Sequence, residues 1–145
     1  MTEKGEEEKV KKCHTKIGKE GDVEKYMLFF LVSLQTNVKL YHWKTSSYDK
    51  HKITDELYNT LSNEIDSFVE VYQGQMKVRE KLKYNQPENC ILGNVEEKDF
   101  VNYLSKCLEK IEKIKKNNSD KTQIVNILDN MVASINKAMY LMSLN

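Results

Sequence analysis

Among the side chains of metal-binding type in the first half of this 145-residue sequence, five are candidate ligands: His42, His51, Asp55, Asp66 and Glu70. Imidazole nitrogens mixed with carboxylate oxygens suit iron or another first-row divalent ion. Calcium prefers oxygen alone, and structural zinc is usually closed by four ligands. His51, Asp55, Asp66 and Glu70 follow one another at steps of four, eleven and four. On a helix turning ~100° per residue they fall at about 0°, 40°, 60° and 100° from His51, so they share one face. The eleven-residue step puts Asp55 about 16 Å from Asp66 at ~1.5 Å rise per residue, too far for one ion. A second copy of the helix removes that difficulty. His51 with Glu70, and Asp55 with Asp66, are both centred between positions 60 and 61. Two antiparallel copies crossing there set His51 and Asp55 of one chain opposite Asp66 and Glu70 of the other, giving two equivalent sites about a two-fold axis. Asn59 and Ser62 are centred on the same point and are small enough for close approach. His42, one short loop from His51, is the fifth candidate ligand.

Four amphipathic segments must position these residues. Asp22 can cap a first helix in which Val23, Met27, Phe30, Leu31, Leu34, Val38 and Tyr41 recur at three- and four-residue steps, ending near Trp43. Thr45, Ser46 and Ser47 break it, and Ser46 with Asp49 has the spacing of a capping box. The second helix carries the stripe Ile53, Leu57, Leu61, Ile65, Phe68, Tyr72 and Met76, centred about 280° round from His51, so its ligand face is not its core face. It stops near Gly74 or runs on to Lys83, and Pro87 ends it. Asn94 with Glu97 opens a third helix faced by Phe100, Leu104, Cys107, Ile111 and Ile114, which Asn117, Asn118 and Ser119 close. Asp120 with Gln123 opens a fourth, faced by Ile124, Leu128, Met131, Ile135, Met139 and Met142. Four stripes of similar length predict an all-α four-helix bundle over residues 22–145, with a long connection between the second and third helices. Residues 1–21, with six Lys and five Glu, read as a flexible polar arm.

The composition agrees with helix: 39% hydrophobic and 31% charged residues accompany one Pro and five Gly, too few turn-formers for a sheet protein. Lys and Arg number 23 against 22 acidic residues, so no global field draws the chain to nucleic acid or an anionic membrane. Cys13, Cys90 and Cys107 lack a CxxC spacing and read as reduced thiols. With a polar start and no apolar run of ~18 residues, a cytoplasmic protein without a membrane span is expected. Lys106, Lys110, Lys113, Lys115 and Lys116 are interrupted by Glu109 and Glu112 and read as a solvated helix face. Trp43 and Tyr48 read as packing residues at a dimer seam.

The His42-Trp43 pair, followed by His51, Asp55, Asp66 and Glu70 at those steps, resembles the ferroxidase pattern of the Dps-type mini-ferritins over about residues 34–73. The resemblance implies a ferritin-like bundle and a dimer that assembles into a hollow dodecamer. It implies that His42, His51 and Asp55 of one subunit bind iron with Asp66 and Glu70 of its two-fold neighbour. Fe(II) would be oxidised there by peroxide or oxygen and stored inside, protecting the cell against oxidative damage. The chain departs from the pattern in three places. The loop from His42 to His51 is three residues shorter than in most members, Val71 follows Glu70 where members usually carry Arg, and the arm is nearly charge-balanced rather than Lys-rich. No Glu-x-x-His pair is present, so a site inside one subunit's bundle is not expected. The rival expectation is a ferritin-like scaffold that keeps the dimer, lacks ferroxidase chemistry and associates with DNA through the arm or the third helix.

Overall fold

Each of the four apolar stripes lies along a helix in the computed structural model, which describes residues 22–77, 91–92 and 95–144. The helices are α1 (Asp22–Lys44), α2 (Tyr48–Met76), α3 (Glu97–Asn117) and α4 (Thr122–Ser143), with no strand among the described residues. The chain is an all-α four-helix bundle. Leu31, Leu34 and Val38 of α1, Leu61 and Phe68 of α2, Leu104 and Ile111 of α3, and Leu128 and Ile135 of α4 are fully enclosed in one cluster. Burial of such side chains stabilises by roughly 1.5–3 kcal/mol each, and it is this term rather than helix propensity that holds the bundle.

Contacts at the helix ends fix the topology. Tyr41 near the end of α1 stacks on Phe100 in the first turn of α3, with ring centroids 4.2 Å apart and planes 2° from parallel. Lys50 at the start of α2 pairs with Glu97 at the start of α3. Glu56 of α2 meets Lys137 late in α4 at 3.2 Å, and Gln75 at the end of α2 meets Gln123 at the start of α4 at 2.9 Å. The helices therefore run up, down, down, up, and the packed pairs α1–α2, α2–α4, α3–α4 and α1–α3 are antiparallel. α2, with 29 residues, is about 43 Å long at ~1.5 Å per residue. The connection over 77–96 joins opposite ends of the bundle, and about twenty residues reach up to ~66 Å when extended. Leu92 within it is buried and donates its backbone N–H to Asn37 Oδ1 of α1 at 2.8 Å.

Several boundaries differ from the sequence expectation. Ser47, not Ser46, caps α2: its backbone is extended and its hydroxyl accepts from the Lys50 N–H at 3.3 Å. α2 passes through Gly74 and ends at Met76, because Lys77 adopts the left-handed conformation that closes a helix (φ 53°). α3 closes as expected, and Asn118 donates Nδ2–H to the Ile114 carbonyl at 2.8 Å. α4 starts at Thr122 with Lys121 at the cap position and no side-chain bond there; Asp120 pairs with Lys121 at 3.4 Å instead. Ala138 rather than Met139 is enclosed on α4. Lys110 is not on a solvated face: it is 3% exposed, with its amine over the Phe30 ring at 5.5 Å, and burial lowers its pKa to about 8. The arm over 1–21, Cys13, Cys90 and Asn94 lie outside the described residues. No helix among the described residues is long and apolar enough to cross a membrane.

Candidate metal centre

His42 sits in the last turn of α1 and His51 in the first turn of α2, and the short turn between them folds the two rings together. Their centroids are 3.8 Å apart and their planes 19° from parallel. Each ring is tied to the other residue's backbone. His42 Nδ1 lies 2.8 Å from the His51 carbonyl oxygen, and His51 Nδ1 lies 2.9 Å from the His42 carbonyl oxygen. A carbonyl only accepts, so both Nδ1 atoms carry the hydrogen, and the neutral form of each ring has its lone pair on Nε2. An Nδ1–H held by a backbone carbonyl is the usual outer support of a metal-binding histidine, fixing tautomer and ring orientation together. The shortened loop thus does not hold His42 away from His51.

Asp55 is one helical turn beyond His51, and its Oδ1 lies 3.9 Å from His42 Nε2. That is too long for a hydrogen bond, and wider than the roughly 3.0–3.4 Å that separates adjacent donors on one ion with bonds of about 2.0–2.2 Å. His42 is buried, whereas the Asp55 carboxylate is half exposed. Asp66 and Glu70 lie further along α2, exposed on the outer side of the bundle together with Asn59. The chain brings His42, His51 and Asp55 to one place and does not bring Asp66 or Glu70 to them. Among the described residues no group of three or more His, Cys, Asp or Glu side chains is gathered tightly enough to hold an ion. Ser62, near the midpoint of the α2 ligand face, accepts a hydrogen bond from Gln35 of α1.

Burial raises the pKa of Tyr41, the residue before His42, and the Lys50–Glu97 pair raises that of Lys50. Trp43 and Tyr48 are 65% and 72% exposed, so neither packs within the chain. The Lys39 amine lies over Tyr58 at 4.4 Å and over Trp43 at 5.5 Å, making a cation-capped aromatic surface beside Asp55. The sequence reading missed Thr54. It is fully buried, and its hydroxyl lies beside His42 Nδ1 at 3.4 Å. The signal was available: position 54 falls at about 300° from His51 on the helical wheel, inside the apolar stripe, where a hydroxyl is out of place.

Other reactive side chains lie apart from this end. Tyr103, Cys107 and Lys110 are buried on α3, with Tyr103 bonded to Asn37 and Cys107. Burial pushes the Cys107 thiol up to about 12, so it stays protonated and unreactive.

A family model described as a family of unknown function (DUF5856) matches residues 42–142, and the chain belongs to that family. The matched span contains all five candidate ligands. No curated protein and no solved structure matches the chain.

Proposed function

From the geometry at the α1–α2 turn, we propose that the protein is a mini-ferritin-like ferroxidase that oxidises Fe(II) between two copies of the chain. The observation that carries this reading is the reciprocal histidine clasp: two imidazoles pinned through Nδ1, both offering Nε2, with the Asp55 carboxylate beside one of them. Two imidazoles and a carboxylate leave positions on a first-row ion for further oxygen donors. Asp66 and Glu70 of the partner subunit supply them in the antiparallel pairing of α2 centred between residues 60 and 61. Asp66, Glu70 and Asn59 are exposed within one chain and so accessible to a second copy. The up-down-down-up connectivity with one long crossover is that of ferritin-like bundles and supports the same reading.

In this reading iron is the substrate. The histidines hold Fe(II), and the carboxylates stabilise the greater charge of Fe(III), so the product state is favoured over the bound reactant. With peroxide as oxidant, two Fe(II) each give up one electron, the O–O bond breaks, and two protons are taken up as two waters form. Storage of the oxidised iron in a hollow assembly and protection from oxidative damage follow from the same reading.

The test is the rate of Fe(II) oxidation by peroxide, followed by absorbance, for the full chain beside an Asp66→Ala, Glu70→Ala double variant. Oxidation faster than buffer by the parent alone, with both proteins running as the same oligomer, is the expected result. Equal rates for parent, variant and buffer sink the ferroxidase reading and leave the scaffold.

A further inference from the structure

We propose that Tyr48 of each copy closes one end of the α2 pair by laying its ring across Gln73 and Gly74 of the partner; the proposal rests on the antiparallel pairing of the reading above. Two residues of α2 point to something outside their own chain. Tyr48, the first residue of α2, is 72% exposed, more than any other large apolar side chain among the described residues. Gly74 lies inside the last turns of α2, where glycine is the least favourable residue after proline. Its backbone is helical and does not require glycine, and a Cβ added there would meet nothing within 4 Å. Neither the fold nor the packing of one chain therefore asks for a residue without a side chain at position 74.

The pairing brings these two features together. Tyr48 and Gln73 are centred between positions 60 and 61, on the same point as His51 with Glu70 and Asp55 with Asp66. On the helical wheel Tyr48 and Gln73 fall at about 60° and 40° from His51, in the middle of the ligand face, and Gly74 falls at about 140°, on its flank. A helical side chain leans towards the N-terminus of its own helix. Along an antiparallel partner that is the C-terminal direction, so the Tyr48 ring passes Gln73 and reaches Gly74, where the missing side chain leaves the backbone bare. The two-fold axis repeats the contact at the other end of the pair, with the four α2 donors of each copy between the two rings. Asn59 and Ser62 at the centre allow close approach but offer little apolar surface, and the two tyrosines supply it, as aromatic anchors do in other interfaces.

The experiment uses the full-length protein without added metal. Tyr48→Cys and Gln73→Cys are combined in a chain that also carries Cys13→Ser and Cys90→Ser. Along one helix positions 48 and 73 are about 37 Å apart at ~1.5 Å per residue, so a short thiol-to-thiol cross-linker can join them only between chains. Covalent dimers are expected from that protein, and none from Tyr48→Cys combined with Ser67→Cys, which falls at about 160° on the wheel. In sedimentation, Tyr48→Ala and Gly74→Gln are each expected to weaken association about a hundredfold, since both ring contacts are lost at once, while Tyr48→Phe keeps the parent's affinity. Tyr48 is exposed and Gly74 has open space in its own chain, so both weakening variants should keep the parent's helical circular dichroism. An associating parent that gives no cross-link between positions 48 and 73, or whose Tyr48→Ala variant associates as tightly, overturns the proposal. So does a parent that stays monomeric, which leaves Tyr48 to a different partner. Iron oxidation by the parent judges the reading above separately. Oxidation at the buffer rate beside a positive cross-link sinks the ferroxidase and leaves this contact standing; oxidation above that rate without the cross-link does the reverse.

Discussion

At the end of the bundle where α1 turns into α2, buried polar groups do the joining: two stacked imidazoles, two reciprocal bonds to carbonyls, the Thr54 hydroxyl, the Ser47 cap and the Tyr41–Phe100 stack. At the end where α3 turns into α4, the joining is mostly at the surface. Lys115 reaches Asp129 at 2.6 Å and Glu112 at 3.2 Å, Gln75 meets Gln123, and Asn118 alone ties the turn back to its helix. The α1–α2 turn is fixed by far more bonds than a three-residue connection needs. Such excess is characteristic of a place whose geometry serves something besides folding. The α3–α4 turn carries what a helix hairpin requires and little more.

The contrast can be broken most severely at His42. His42→Ala removes a buried ring and leaves the His51 carbonyl without its donor, and is expected to destabilise by about 3 kcal/mol in chemical denaturation; the proposed ferroxidase activity, where measured, is expected to fall to the buffer rate. The next effect has the opposite sign. Lys110 titrates near 8 when folded, because it is buried, and near 10.5 when unfolded. Between those values the unfolded chain holds more protons, so stability rises with pH from about 8 to 10.5 and levels off above. Lys110→Met is expected to stabilise by on the order of 2 kcal/mol at pH 7, with the gain shrinking as pH passes through that window; a gain independent of pH would contradict the assignment. Asn118→Ala should cost about 1 kcal/mol through the freed Ile114 carbonyl, and Ser47→Ala about 0.5–1 kcal/mol because its cap bond is long. Lys115→Ala should leave the melting temperature unchanged in high salt, since exposed ion pairs are screened. If Lys115→Ala proved as damaging as His42→Ala, the contrast between the ends would collapse.

The bundle was legible because its stripes are long: Leu34 to Val38, Leu61 to Phe68 and Leu128 to Ile135 all obey helical spacing and are all enclosed. The caps were less legible, since neighbouring Ser46 and Ser47 offer the same chemistry and only the backbone decides between them. Lys110 was misread because a charged side chain between glutamates looks solvated in sequence, whereas its amine packs over Phe30 from the neighbouring helix. The clasp between His42 and His51 was legible as proximity and not as geometry. It depends on backbone carbonyls, which every residue carries and no sequence distinguishes. Asp66 and Glu70 were read as ligands from symmetry alone, and one chain by itself cannot bring them to the histidines.

The crossover over 77–96 sets an order on assembly of the chain. Each hairpin, α1 with α2 and α3 with α4, closes over a handful of residues, so each forms from local contacts at small entropic cost. Bringing the two hairpins together demands that the connection travel the length of the bundle, and the Leu92–Asn37 bond is made only after it has done so. Docking of the two hairpins is the step that closes the longest loop, and so the one with the largest loop-closure cost. A chain cut within the crossover would still own both halves of its core, each able to find the other in solution.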